Sequence, residues 1–302
     1  MVKVSFSLDV KQELSKISNL LNKEAVKIEL LGYLMTNNVK INGNRLRFAT
    51  ESEYNINRFG KLLSNLNNNS YKIGIVGNKY SILINKQEIE KTLKLNDIND
   101  VLNLNLSEYL KDEILEKAFF RGVFLGGGSI NNPEKIYHLE IILKKVKDIE
   151  YILNTLIKYE MDFKVLDKNN KYIIYTKDGE KISNFMALIG ANSSVLRFEE
   201  IRVYRDMKNK INRQVNCETA NLNRIANTAA KQINAINYLK EKGKFNSLPE
   251  QLKEIANIRV NNPEASLIEL GSLLNEPIGK SGVNHRLKKI EEIVEELKKC
   301  EK

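Results

Sequence analysis

Apolar positions along the chain recur in two alternating rhythms. Leu8, Leu14, Ile17 and Leu21 stand near helical spacing and predict a helix over Ser7 to Leu21. Lys23 to Asn37 reads as a second helix, Leu46 to Thr50 as a strand and Ile56 to Leu66 as a helix. Lys72 to Val76 and Tyr80 to Ile84 read as a hairpin turning at Gly77-Asn78, closed by a short helix at Lys86 to Lys94. The order then returns. A helix carries Leu110, Ile114, Leu115 and Ala118 into Phe119, and a strand follows at Tyr137 to Leu143. A helix at Lys147 to Tyr159 precedes a hairpin of Phe163 to Leu166 with Tyr172 to Thr176, turning at Lys168 to Lys171. Gly179 to Ile189 closes the copy. Two copies of one supersecondary unit predict an α+β fold with a pseudo-two-fold axis.

From Val195 the pattern becomes helical and basic. Ile201 to Arg213 carries Arg202, Arg205, Lys208, Lys210 and Arg213 against the single Asp206. This stretch is a candidate phosphate contact or a solvated helix face. Asn216 to Glu241 predicts a long helix with the stripe Leu222, Ile225, Ala229, Ile233 and Ile236, ended by Gly243. The stripe requires a docking surface. Ser247 to Glu250 and Ser266 to Glu269 have the spacing of capping boxes and open two further helices. After a turn with Pro277 and Gly279, Ser281 is expected to cap a third helix, with the stripe Val283, Leu287, Ile290, Val294 and Leu297. Three helices with a turn before the third form a helix-turn-helix. The expected division is a first half at 1–94, a link at 95–109, and a second half with the basic segment at 110–215. A connecting helix at 216–242 and an all-α helix-turn-helix at 243–302 complete it.

The 302 residues are 42% hydrophobic, enough for real cores, and the formal net charge of +10 suits a polyanionic partner. Cys217 and Cys300 are far apart, so neither a disulfide framework nor a zinc site follows. Without an apolar signal region or spanning run, a cytoplasmic, nucleoid-associated location is the expectation, with no membrane partner. The charge changes the reading most at the third helix. Lys280, Ser281, Asn284, His285, Arg286, Lys288 and Lys289 crowd its start, and no acid occurs from Pro277 to Ile290. A recognition helix entering the major groove has this polarity, and Asn and Arg can contact base edges in two places. The bland reading is a small helical protein-interaction module. His285 fits a groove or phosphate contact, and His138 fits packing in the sheet; neither has a partner for nucleophilic or metal chemistry.

The remaining motif is Phe119 to Ile130: Phe-Phe-Arg-Gly-Val-Phe-Leu-Gly-Gly-Gly-Ser-Ile. A phosphate-binding P-loop would need Gly-Lys-Ser/Thr after its glycines, and a dinucleotide loop would need a strand before and a helix after. Here the glycines follow a helix and end it. The stretch resembles the signature helix of LAGLIDADG homing endonucleases, which often reads Phe-Leu-Arg-Gly-Phe-Phe-Asp-Ala-Asp-Gly-Ser-Val. Arg121, Gly122, Gly128 and Ser129 match, while the two acids fall on Leu125 and Gly127. A more worn copy lies at Glu29 to Asn37, with Gly32 matching Gly122 and with Met35 and Asn37 at the acid positions. The resemblance implies a fold of two LAGLIDADG-like αββαββα repeats whose signature helices pack through Gly32 and Gly122. It also implies loss of the carboxylates that hold a divalent metal at the scissile phosphate.

With Tyr137 to Glu140, Asn216 to Asn223, Ser247 to Glu250 and Lys280 to Leu287, nearly the whole chain resembles the WhiA family of bacteria. That resemblance implies an inactive homing-endonuclease-like domain fused to a helix-turn-helix. It implies a non-enzymatic DNA-binding protein without a cofactor, acting in transcription, cell division or chromosome segregation. Double-stranded DNA is the expected partner, and a protein partner is conceivable through the nuclease-like domain. Two other readings compete. One is an endonuclease with metal ligands relocated to Glu29, Asp112 or Glu113; the other is a protein-interaction scaffold with incidental DNA contact.

Overall fold

The computed structural model describes residues 5–18 and 20–300. By backbone contacts the chain divides into two units, Met1–Asp206 and Met207–Lys302. The first unit opens with α1 (Phe6–Ser15) and then repeats one αββαββα module twice. The first copy is α2 (Lys23–Leu34), β1 (Val39–Asn42), β2 (Arg45–Thr50), α3 (Glu53–Asn65), β3 (Tyr71–Val76), β4 (Lys79–Asn85) and α4 (Lys86–Leu93). A 3-10 turn at Ile98–Asn103 and the short α5 (Leu106–Tyr109) lead to the second copy. That copy is α6 (Glu113–Gly127), β5 (Gly128–Ile130), β6 (Leu139–Lys144), α7 (Ile149–Lys158), β7 (Lys164–Lys168), β8 (Lys171–Thr176) and α8 (Gly179–Ile189). Each copy builds an antiparallel four-stranded sheet, in the orders β1-β2-β4-β3 and β5-β6-β8-β7.

The two sheets share a core through α2 and α6, which cross at backbone contact. A Cβ on Gly122 would stand 1.9 Å from the Glu29 carbonyl oxygen, and one on Gly32 would stand 2.5 Å from that of Phe119. Only glycine permits this approach, so the expected packing role holds at both positions. At the same crossing Glu29 is fully buried. It accepts two hydrogen bonds from Arg58 of α3, at 2.7 and 2.8 Å, and a third from Arg121 at 3.1 Å. Arg121 also donates to the Ile189 carbonyl at 2.9 Å, tying α8 to the crossing. A buried carboxylate needs such partners, because removing charge from water costs several kcal/mol, roughly, per unpaired ion.

Several boundaries differ from the sequence reading. The first helix stops at Ser15, short of Leu21, and the Ile17 carbonyl accepts from Arg58 instead; Asn19 lies outside the described residues. The strands β1 and β5 carry too few residues to show an alternation of their own and were not read from the pattern, although the αββαββα repeat implied by the resemblance contains them. The glycines after Leu125 do not end α6 by a left-handed turn. Gly128 has φ −89° and continues directly into β5. Their role is space: a Cβ on Gly127 would lie 2.6 Å from the Ile142 carbonyl oxygen. The stretch read as a polar link at 95–109 buries Ile98, Val101 and Leu106. Asn169 and Asn170 both take positive φ, the pattern of a tight hairpin turn.

The long helix starts at Asn192, not Asn216, and runs to Glu241 as α9, continuing from the first unit into the second. In the second unit its last turns pack with α10 (Glu250–Asn261), α11 (Leu267–Ser272) and α12 (Lys280–Cys300). Ile236, Leu239, Leu252, Ile255, Leu270, Val283, Leu287 and Ile290 fill that core. The expected stripe of α9 is split: Ala229 and Ile236 are buried, while Leu222 is 66% exposed. The capping box at Ser266 forms, with Glu269 N–H donating to Ser266 Oγ and Ser266 N–H to Glu269 Oε2. The one at Ser247 does not. Ser247 sits in a 3-10 turn and its hydroxyl donates to the Lys244 carbonyl, leaving Pro249 at the helix start. Ser281 does not cap α12 either: Gly282 and Val283 N–H groups already bond the Gly279 carbonyl, so Ser281 lies inside the first turn.

Candidate nucleic-acid interface

α11, the turn after it and α12 make the helix-turn-helix. The turn is held tightly, since Ile278 N–H bonds the Gly271 carbonyl and a Cβ on Gly271 would lie 2.2 Å from the Ile278 carbonyl oxygen. Val283, Leu287, Ile290 and Val294 face inward and fix the rotation of α12. At about 100° per residue, Lys280, Ser281, Asn284, His285 and Lys288 then share one arc of ~140° on the outer face. All five are exposed. Lys289 is also exposed and sits at the arc's edge, 3.6 Å from Glu292. Arg286 does not join them. It is half-buried on the opposite flank, because its position follows the apolar stripe too closely.

The basic stretch of α9 does not form one surface. The Arg202 guanidinium donates to Glu199 at 3.0 Å. Arg205 donates to the Pro133 carbonyl at 2.5 Å and lies 4.2 Å from the centre of the Tyr137 ring. These two arginines belong to the packing of the first unit. Lys208, Lys210 and Arg213 are exposed in the second unit, but helical geometry spreads them around the axis.

In the first unit, the positions that carry acids in the homing endonucleases hold Met35, Asn37, Leu125 and Gly127. Met35, Leu125 and the adjoining Thr36 are buried, and Asn37 and Gly127 are half-buried. The three carboxylates considered as relocated ligands have other tasks. Glu29 holds Arg58 and Arg121; Asp112 caps α6 by accepting from Leu115 N–H at 2.9 Å; Glu113 pairs with Lys117 at 2.5 Å. Among the described residues no three His, Cys, Asp or Glu side chains are grouped to hold a metal. His138 precedes β6 rather than lying in it. Its Nε2 stands 3.5 Å from Glu140, and its buried Nδ1 has no hydrogen-bond partner among the described residues.

Sequence reading missed one basic surface. The alternation of β2 puts Arg45 and Arg47 on the exposed face of the first sheet, where Lys40 of β1, Lys72 of β3 and Lys79 of β4 join them. The pattern Arg-Leu-Arg-Phe was the available signal. Beside it lies a cavity of about 490 Å³ lined by Lys11, Asn37, Lys40, Arg47, Lys79 and Glu51, among others.

Known proteins match both units. Residues 116–208 match the WhiA LAGLIDADG-like domain and residues 211–294 the WhiA C-terminal HTH domain. A relative from Clostridium tetani, named "Probable cell division protein WhiA", is 40% identical over 98% of this chain and 99% of its own. A Thermoanaerobacter relative with the same name is 39% identical over 98% of each. The crystal structure of full-length DUF199/WhiA from Thermatoga maritima is similar at a TM-score of 0.58 and 28% identity, covering 97% of this chain and 99% of that one. That of the N-terminal LAGLIDADG domain of DUF199/WhiA has a TM-score of 0.52 at 23% identity, over 62% of this chain and 90% of that one, a likeness of fold. With matching domains in matching order and relatives aligned over nearly its full length, the chain belongs to the WhiA family.

Proposed function

We propose that the protein is a non-enzymatic, double-stranded DNA-binding regulator acting in transcription, cell division or chromosome segregation within the nucleoid. The observation that carries the reading is the outer arc of α12. Five polar or basic side chains project together from the start of a helix whose rotation is fixed by its core, and the first acid on that helix is Glu291. Asn284 is placed for base edges, while Lys280, Lys288 and Lys289 are placed for phosphates. Arg286 and the five candidate cations from Arg202 to Arg213 have lesser roles, Arg202 and Arg205 being engaged within their own unit. The engagement of Glu29, Asp112 and Glu113 in folding contacts supports a domain that has exchanged nuclease chemistry for another task. The division of labour follows the expected segments: two repeats joined at 95–109, and DNA reading at 243–302.

The test is the affinity of the full chain for random duplex across a salt series. Replacing Lys280, Lys288 and Lys289 together with alanine should lower the salt slope by about 2.7, at roughly 0.9 per phosphate contact. Asn284→Ala should lower affinity for the preferred site while leaving random-duplex binding intact. Unchanged binding in both variants would sink this reading.

A further inference from the structure

We propose that the cavity between α1, the end of α2 and the open face of β1 and β2 is a phosphate-binding site, with Lys11 and Arg47 as its principal ligands and Lys40 and Lys79 beside them. Its DNA arm rests on the function proposed above; its free-phosphate arm does not.

Three observations carry the site. First, Lys40 and Arg47 are directly opposite each other across the β1–β2 ladder. Like charges at such positions repel at side-chain separations of roughly 5 Å and destabilise a sheet. Neither has an ion-pair partner among the described residues. Local rules are broken mainly at functional or strained sites, and an anion bound between the two cations would resolve this conflict. Second, Lys11 lines the same cavity and is half-buried without a carboxylate partner among the described residues; its Nζ lies 5.8 Å from the centroid of the Phe124 ring. Burial lowers its pKa to about 8, a sign that water is poorly placed to solvate the ammonium. A phosphate oxygen would supply the missing charge. Third, the walls offer hydrogen-bonding groups and little competition. Asn37 contributes a neutral amide, and Glu51 is the single carboxylate among the lining residues.

The second repeat shows that the arrangement is not a requirement of the fold. There the ladder positions equivalent to Lys40 and Arg47, counted from the buried pair Phe48 and Ile141, are Ser129 and Glu140. The Ser129 hydroxyl and the Glu140 carboxylate meet at 3.4 Å, and no cationic conflict arises.

A phosphate could come from the DNA backbone or from a free phosphate compound, and one set of variants separates the two. In the full chain, Lys11→Met removes a half-buried cation and Arg47→Ala an exposed one, so the second remains informative if the first perturbs folding. Lys168→Ala, on the second sheet, is the control. Duplex binding is followed across a salt series, and binding of pyrophosphate by calorimetry. Loss of about 0.9 in the salt slope for Lys11→Met and for Arg47→Ala, but not for Lys168→Ala, assigns the site to backbone phosphate. Unchanged slopes with pyrophosphate bound by the native chain and lost in both cavity variants assign it to a free phosphate ligand. An equal loss from Lys168→Ala would reduce the cavity to diffuse surface charge and overturn the site, as would native behaviour of both cavity variants in both assays. A native chain that fails to bind duplex refutes the DNA-binding function, and pyrophosphate then decides on the cavity alone.

Discussion

The two repeats share a topology and differ in what their sheets carry. The open face of the first sheet shows Lys40, Arg45, Arg47, Lys72 and Lys79 without an acid; that of the second sets Glu140 among its lysines. Their outer edges differ as well. On β7 Asp167 pairs with Lys145, whose ammonium also lies 4.4 Å from the Tyr172 ring centre. The equivalent of Asp167 on β3 is Ile75, which is 64% exposed with Ile73 at 52% beside it. Charged side chains on an edge strand discourage pairing with other chains. What the shared fold requires includes the crossing of α2 and α6 and the strand order of each sheet. Outside these, each half has been free to take a different surface chemistry.

The largest expected effect strikes what the halves share. Gly122→Val would drive a side chain into the Glu29 carbonyl, and the first unit should lose its cooperative unfolding transition in urea while the helical signal of the second persists. A variant as stable as the native chain would show that the crossing is not the common requirement. Next is Glu29→Ala, which removes the carboxylate that balances the buried guanidinium charges of Arg58 and Arg121. A loss of about 3–5 kcal/mol is expected, read as a shift in urea midpoint.

Lys144, placed between the halves with its ammonium donating to the Leu34 carbonyl, has its pKa lowered by burial to about 8. Its charged form is disfavoured in the folded state, so the unfolded chain binds the extra proton between pH 8 and the ordinary lysine range. Stability from this group should therefore rise as pH increases from 8 towards 10. Lys144→Met should flatten that dependence in thermal unfolding at fixed ionic strength. The smallest effect tests the edges. Ile75→Asp copies the second half onto the first; stability should change by less than about 0.5 kcal/mol, while light scattering on heating should fall. Unaltered scattering would mean that β3 is not the sticky edge.

Much of this was legible in the chain. Gly32 and Gly122 stood at matching places in two apolar helices, and the packing they permit is the packing observed. The helix-turn-helix was legible because its stripe is regular and its acids begin only at Glu291. The start of α9 was not, since its first turn is fixed by Glu13 of α1, which accepts from the Ser193 and Ser194 N–H groups across a long stretch of chain. Arg202, Arg205 and Arg286 looked like the free cations around them. Only their neighbours (Glu199, Pro133, and the apolar stripe of α12) removed them from the candidate surface.

By itself the sequence determined the repeated module, the order of the units and the loss of both acid positions, because these depend on residue type and local periodicity. Tertiary structure alone decided which charges act together. Lys11 on α1 and Arg47 on β2 are separated along the chain, and no periodicity links them. Electrostatic interaction depends on distance in space and on access of water, and both are fixed only when the elements pack.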